Sequence, residues 1–275
     1  MISVVLPSYN RAHILPRAIE SILGQTYKDI ELIIVDDGSS DNTAEVVGNF
    51  SDSRIVYVRQ ENAGACAARN NGIAHARGDY IAFQDSDDIW HQDKLEKQLA
   101  TLQNTGADIV FCRMNRMVGG EKVGLVSDYF HEGFLPKDEV PMSIGTQTLV
   151  GKSEVFKQER FDSEMPRFQE FEMLVRAQKS FSIYCMEDPL VDYCLQKDSI
   201  SVKPSSVLTA WNLILKKHPD FFRVYGSSRE RIARDVQLNA KSVSDFAKRW
   251  RLALFSFKFS KSPKTLARFI KWFVL

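Results

Sequence analysis

Phosphate-cradling glycine motifs are missing from this chain. No GxGxxG follows its first apolar run, and no GxxxxGK followed by Ser or Thr occurs in its 275 residues. A dinucleotide fingerprint and a P-loop are therefore excluded. GxSxG is also absent, which removes the strained nucleophile turn of α/β-hydrolases. Cysteine is scarce, and Cys66, Cys112, Cys185 and Cys194 form no CxxC pair. Such spacing reads as reduced structural thiols, not as a disulfide frame or a zinc site. The five histidines (His13, His75, His91, His131, His218) stand apart and read as surface or packing residues. No run reaches the roughly 18 apolar residues of a spanning helix. The opening MISVVLPSYN has neither the charged region nor the apolar length of a signal peptide, so none is expected.

What is present is an ordinary soluble globular composition, 44% hydrophobic and 26% charged, enough to bury a core. Net charge is +1, but unevenly spread. Residues 216–275 hold 15 Lys and Arg against 4 Asp and Glu, and the remainder holds 21 against 31. An acidic body with a basic tail suggests two tasks: holding cations and meeting an anionic surface.

Over the first hundred residues, short apolar runs alternate with helical spacing. ISVVL (2–6), ELIIV (31–35), RIVYV (54–58) and YIAF (80–83) have the Val/Ile/aromatic content of buried parallel strands. Between them, Ile14, Leu15, Ala18, Ile19, Ile22 and Leu23 recur at helical intervals, Ser40 or Asp41 can cap a helix through Val47, and 63–76 is alanine-rich. The alternation predicts a doubly wound parallel sheet. A fifth strand is expected at DIVFC (108–112), loop with an edge hairpin over 113–142, a helix at FQEFEMLVRA (168–177), and short strands at FSIYC and LVDYCL. From Val207 onward the pattern is helical, broken near Pro219, Gly226 and Pro263.

Ligands of open α/β sheets bind beyond the carboxyl ends of the strands. There this chain places PSYNR (7–11), DDGSSD (36–41) and QDSDD (84–88). Facing acids at one sheet edge repel unless a cation lies among them. Oxygen donors of this kind suit Mg²⁺ or Mn²⁺, which bind through one or two carboxylates and substrate phosphates. A metal-bridged diphosphate accounts for both clusters.

PSYNR (7–11), VDDGSSDNT (35–43), ENAGACAARNNGI (61–73) and GDYIAFQDSDDIW (78–90) together resemble the family-2 glycosyltransferases of the GT-A fold. The resemblance is continuous over about residues 1–100 and weaker through about 200, in FDSEMPRFQEFEMLVR and DPLVDYCLQKDSIS. It implies a Rossmann-like nucleotide-sugar-binding half (1–104) with helices on both faces, an acceptor-binding half (105–205), and a helical, basic C-terminal region (206–275). It further implies a nucleotide-sugar donor, usually a UDP-sugar, with Mn²⁺ or Mg²⁺ as cofactor and inversion at the anomeric carbon. By the same resemblance, Tyr9 stacks on uracil beside Pro7, and Asp37, next to Asp36, hydrogen-bonds the base. Arg69 lies near the nucleotide. Asp85-Ser86-Asp87 matches the DXD motif, with Asp87 the metal ligand and Asp85 and Ser86 by the ribose and phosphates. Glu170 aligns with the catalytic base, although Gln169-Glu170 stands where relatives read Glu-Asp, and Arg176 ends that motif.

The segment 246–275 holds eight Lys and Arg, eight Phe and Trp, and no acid. Interfacial helices have this composition. It predicts docking on an anionic membrane, with Phe269, Trp272 and Phe273 on one side; the alternative is that these aromatics pack on the body. Nucleic acid is not expected as a partner, because the body is acidic. The whole suggests a cytoplasmic enzyme, peripheral on the inner membrane face, moving sugar to a saccharide acceptor carried on lipid in polysaccharide or glycolipid assembly. Two other classes compete: a nucleotidyltransferase making sugar nucleotides, and a non-catalytic sugar-nucleotide- or membrane-binding module.

Overall fold

The predicted apolar runs become neighbouring strands. In the computed structural model, which describes residues 1–126, 131–137, 139, 144–195, 205–220, 229–241 and 243–274, β1 (Ile2–Ser8), β2 (Ile30–Asp36), β3 (Ile55–Arg59) and β4 (Tyr80–Phe83) lie parallel in the order β3-β2-β1-β4. Helices α1 (Leu15–Leu23), α2 (Thr43–Gly48) and α3 (Ala65–His75) connect them. Both sheet faces are covered, which is why the strands are apolar without alternation. Ile2, Val4 and Leu6 of β1 and Ile30, Leu32 and Ile34 of β2 form one core with Leu15, Ala18, Ile19 and Ile22 of α1. The opposite face carries Val5 and Val35 toward α3. There Gly72 is obligatory, since a Cβ at that position would stand 2.3 Å from Val5 Cγ1. Asn42 occupies the cap position of α2, and Asp41 takes up the next N–H, accepting from Thr43 N at 3.1 Å.

Beyond β4 the sheet continues as β9 (Leu149–Lys152), β6 (Ile109–Val118), β10 (Ile183–Cys194) and β5 (Ile89–Trp90). Here it departs from an all-parallel arrangement, because β9 is antiparallel to both β4 and β6. Among the described residues no crossover helix delivers the chain to β9, whose approach carries the 3₁₀ turn Thr146–Thr148, and parallel pairing requires such a crossover. The region expected from 113 as loop with an edge hairpin opens as strand and does form the hairpin. β6 runs to Val118 and returns as β7 (Glu121–Leu125) through Gly119-Gly120, both at positive φ, the conformation of a two-residue hairpin turn. FSIYC and LVDYCL merge into the single strand β10, whose pairing with β6 shifts register on either side of Pro189. Proline lacks the N–H a regular ladder needs. The short β8 (Gly133–Phe134) pairs with β10. Helices α4 (Lys94–Thr105), α5 (Ser153–Gln158) and α6 (Gln169–Ala177) complete the order to this point.

The chain forms two compact units. The first comprises 1–135, 143–163 and 172–196, and the second 136–142, 164–171 and 197–275. The second contains α7 (Ser205–Lys217), α8 (Arg229–Lys241), α9 (Phe246–Phe255) and α10 (Pro263–Phe269), the last extended by a π-helical turn, Ile270–Val274. The break expected at Gly226 falls outside the described residues. This unit's core is aromatic: Trp211 stacks edge-on against Phe259 at 4.8 Å and Phe171 at 5.5 Å, and Phe269 meets Trp250, Phe257 and Phe273 within 5.7 Å. Phe255, Phe259, Phe269 and Phe273 are buried. Phe269 and Phe273, expected to face lipid, therefore pack inward while Trp272 is half-buried, and α10 exposes Pro263, Lys264, Leu266 and Ala267.

Candidate active site

The sheet brings three predicted clusters to one edge. β1, the middle of three parallel neighbours, pairs with β2 so that Ser8 lies opposite Asp36, and with β4 so that Val5 lies opposite Phe83. Parallel strands in register end at the same edge, so Pro7 and Tyr9, Asp36 and Asp37, and the loop 84–88 share it. Two main-chain bonds tie the three together: Asp37 N–H donates to Ser8 O at 2.9 Å, and Gln84 N–H donates to Val5 O at 3.0 Å.

Tyr9 is 48% exposed at this edge. Its ring is not spent on core packing and presents a face to solvent. Asp36 and Asp37 are almost fully buried and already engaged. Asp36 accepts from Ser39 N at 2.8 Å and Tyr57 Oη at 2.5 Å. Burial first, then this bond and the charge of Asp36, push the Tyr57 phenol above its usual range. Asp37 Oδ1 accepts from Gln60 Nε2 at 2.7 Å and Ala63 N at 2.9 Å, and Oδ2 accepts from Gly64 N at 2.8 Å. A carboxylate offers about four acceptor positions, so Asp37 fixes the turn into α3 and keeps one position on Oδ2.

That turn aims α3, and α3 carries Arg69 against the Asp85-Ser86-Asp87 loop. Arg69 Nη2 donates to Asp85 Oδ1 at 2.6 Å, with its guanidinium 5.5 Å from the ring of Phe161. Two residues named separately from the sequence thus form one ion pair, with Arg69 buried and Asp85 half-buried. Asp85 and Asp87 are half-buried, and Ser86 between them is buried. Among the described residues, no three His, Cys, Asp or Glu side chains converge as a metal cage. The donor set is that of a hard cation using one or two carboxylates and leaving its other positions to phosphate and water.

Sequence reasoning missed the residue that anchors this loop. Asp88 is buried, its Oδ1 accepting from Cys194 N at 2.8 Å and its Oδ2 from Gln147 Nε2 at 2.6 Å. Gln84 Nε2 donates to Asp88 O at 2.9 Å, and Trp90 Nε1 donates to Gln147 O at 3.0 Å. Burial, followed by the charges of Asp87 and Asp85, pushes the Asp88 carboxyl well above the usual range. The available signal was a third acid, directly after Asp85-Ser86-Asp87.

Glu170 lies in the first turn of α6, within the second unit, and is half-buried. Farther along α6, in the first unit, Glu172 is buried and pairs with Arg176 Nε at 3.0 Å, while Arg176 Nη1 reaches Glu159 at 2.5 Å. Arg176 is thus shared by Glu172 and Glu159, and Glu170 is the other acid of α6.

Comparison with known proteins agrees with this arrangement. Residues 3–154 match the model of Glycosyl transferase family 2. The chain is 32% identical over 210 residues to the putative teichuronic acid biosynthesis glycosyltransferase TuaG of Bacillus subtilis, covering 73% of this chain and 81% of that protein. It is 45% identical over 112 residues to UDP-Glc:alpha-D-GlcNAc-diphosphoundecaprenol beta-1,3-glucosyltransferase WfgD of Escherichia coli, covering 40% and 44%. An uncharacterized glycosyltransferase of Rickettsia felis is 38% identical over 166 residues, 58% of this chain and 27% of its own. The matched stretch thus spans less than half of those last two relatives. Among solved structures, Staphylococcus aureus TarS in complex with UDP-GlcNAc superposes with a TM-score of 0.64 at 17% identity, covering 98% of this chain and 78% of that one. The mannosyltransferase PcManGT of Pyrobaculum calidifontis, in complex with GDP-Man and Mn²⁺, gives 0.64 at 15% identity, covering 97% and 77%. These likenesses show the GT-A fold.

Proposed function

Because the chain belongs to glycosyltransferase family 2, we propose that it transfers a sugar, with inversion, from a UDP-sugar to a saccharide acceptor carried on lipid at a membrane surface. The observation that carries this reading is the edge where exposed Tyr9, the Arg69–Asp85 pair and Asp87 come together. Tyr9 offers its ring face to the nucleobase, since every base has a π-face. Asp37 has one acceptor position for a base N–H. Arg69 holds Asp85 in one orientation, so that Asp85 and Ser86 can meet the ribose and the diphosphate. Asp87 would hold Mn²⁺ or Mg²⁺, whose bound charge neutralises a leaving diphosphate. Glu170 accepts the proton of the attacking acceptor hydroxyl, the general-base role that inversion requires. The lipid-linked acceptor is supported by WfgD, whose name specifies a diphosphoundecaprenol substrate, and the polymer context by TuaG.

The test is nucleotide release from a panel of UDP- and GDP-sugars, with Mn²⁺ or with chelator. Turnover is expected with a UDP-sugar and to vanish on chelation. Asp87→Ala should abolish it at any metal concentration. Glu170→Gln keeps the shape but removes the proton acceptor, lowering kcat by roughly 10²–10⁴ with donor affinity by calorimetry unchanged. A folded Asp87→Ala enzyme with near wild-type turnover would overturn the metal assignment. Full activity of Glu170→Gln would move the base role to a different acid.

A further inference from the structure

The outer side of the last helix is built differently from its inner side. Thr265, Phe269 and Phe273 face the core of the second unit. On the other side, Leu266, Ile270 and Val274 recur every fourth residue and are 49%, 39% and 60% exposed. Pro263 and Ala267 are exposed beside them, as are Lys261, Lys264 and Lys271. The result is an uncovered aliphatic ridge with ammonium groups along it. Arg268 does not belong to this face, since it donates to Glu230 Oε1 at 2.7 Å and Gln237 Oε1 at 3.1 Å. Lys264 and Lys271 form no ion pair with the described residues. No Asp or Glu lies anywhere from 246 to 275, so nothing in this segment neutralises them.

We propose that this ridge, Leu266, Ile270 and Val274 flanked by Lys264 and Lys271, seats the second unit on an anionic lipid bilayer. The proposal rests on the reading that the acceptor is carried on lipid, and it identifies the surface that would bring the enzyme to it. Charge selects the occupant. An apolar ridge alone would suit another protein equally well, but unpaired lysines on an acid-lacking segment complement a sheet of phosphate headgroups. An interfacial helix sinks its apolar side about 5–10 Å into the headgroup boundary. Branched aliphatic side chains can enter that layer while lysines stretch their stems and keep the ammonium among the phosphates. Phe269 and Phe273, which suggest membrane binding from the sequence, do a different job here: they hold the helix in place so that its aliphatic side stays outward.

The experiment is sedimentation of the full chain with mixed phosphatidylcholine–phosphatidylglycerol vesicles and with pure phosphatidylcholine vesicles. Binding is expected to the mixed vesicles and to be much weaker to the neutral ones. Lys264→Gln with Lys271→Gln should weaken binding roughly fivefold per lysine. Leu266→Asn with Ile270→Asn should leave only a weak association that salt abolishes. All four positions are exposed, so thermal melts should match the parent. Phe246→Ser on α9, which removes a 73% exposed ring elsewhere in the same unit, should leave binding unchanged. Loss of binding in Phe246→Ser with normal binding in the ridge variants would overturn the assignment, as would failure of the intact chain to bind the mixed vesicles. Nucleotide release from a UDP-sugar, read on the same samples without vesicles, should be equal in all of them. Its absence in the parent would sink the transferase reading while leaving the vesicle result to stand on its own.

Discussion

Lys94 carries a charge that the fold tolerates poorly. Its side chain is fully buried, Nζ lies 3.9 Å from the ring centroid of Trp90, and no hydrogen bond reaches it. Burial lowers its pKa from 10.5 to about 8, with only slight opposition from Cys112. Attraction to the Trp90 face offsets part of the cost. A base with a depressed folded pKa binds fewer protons folded than unfolded between about pH 8 and 10.5. Stability therefore rises with pH across that window, and the penalty is fully present below it. Lys94→Met, apolar and of similar length, should raise the unfolding free energy at pH 7 by up to about 3 kcal/mol. Its advantage should shrink as pH rises through the window. Urea titrations of both proteins at pH 7 and pH 10 decide this, and a pH-independent difference would mean that the lysine is not the source. Lys94 also marks a limit of sequence reading. A lysine at the start of a helix reads as solvated, and only the packing of Trp90 over it reveals otherwise. Asp88 is similar, since its partner Gln147 is 59 residues away, whereas Tyr9, Arg69, Asp85 and Asp87 stood in contiguous motifs that named them.

Among the elements, α3 depends on the closest contact. Gly72 lets the helix lie against β1 and β2, and any Cβ there would meet both Val5 and Val35. Two effects of Gly72→Ala oppose each other. Alanine gains about 1 kcal/mol in helix propensity, while overpacking a filled core costs roughly 1–3 kcal/mol. An overlap at 2.3 Å favours the second, so the denaturation midpoint should fall. Arg69 lies one turn earlier on the same helix, so the displaced helix should also weaken donor binding. An unchanged or raised midpoint would refute the close approach. Strands β1 to β4 could be read directly because their runs are short, apolar and punctuated by helices of regular spacing. β9 and β10 resisted for physical reasons. The direction of β9 goes with the lack of a crossover helix among the described residues before it, and the continuity of β10 depends on pairing with β6 that carries it past Pro189.

On the scale of the whole chain, the uneven charge seen in the sequence coincides with the division into units, the basic stretch forming most of the second. That unit holds itself together by more than its aromatics. Glu230 accepts from Ser260 Oγ at 2.7 Å, Thr265 Oγ1 at 3.1 Å and Arg268 Nη2 at 2.7 Å, and also from Ser262 Oγ. Burial alone would raise its pKa, but these donors together hold it at about 2. α8 and α10 are thus joined by a polar clasp as well as by packing. The consequence concerns truncation. Removing 246–275 would strip Phe255, Phe259, Phe269 and Phe273 from the core, leave Trp211 without Phe259, and leave Glu230 without its donors. Loss of one buried Phe typically costs about 3–5 kcal/mol, and a small domain has only about 5–15 kcal/mol in total. The shortened chain should therefore lose order in α7 and α8, not merely its membrane affinity. Near-ultraviolet circular dichroism should report loss of the Trp211 environment, and limited proteolysis should cut within 205–241. If both probes instead show an intact α7 and α8, these aromatics do not form the core of the unit, and their availability to lipid has to be reconsidered. This is why substitutions on the exposed ridge, not deletion of the segment, separate docking from folding.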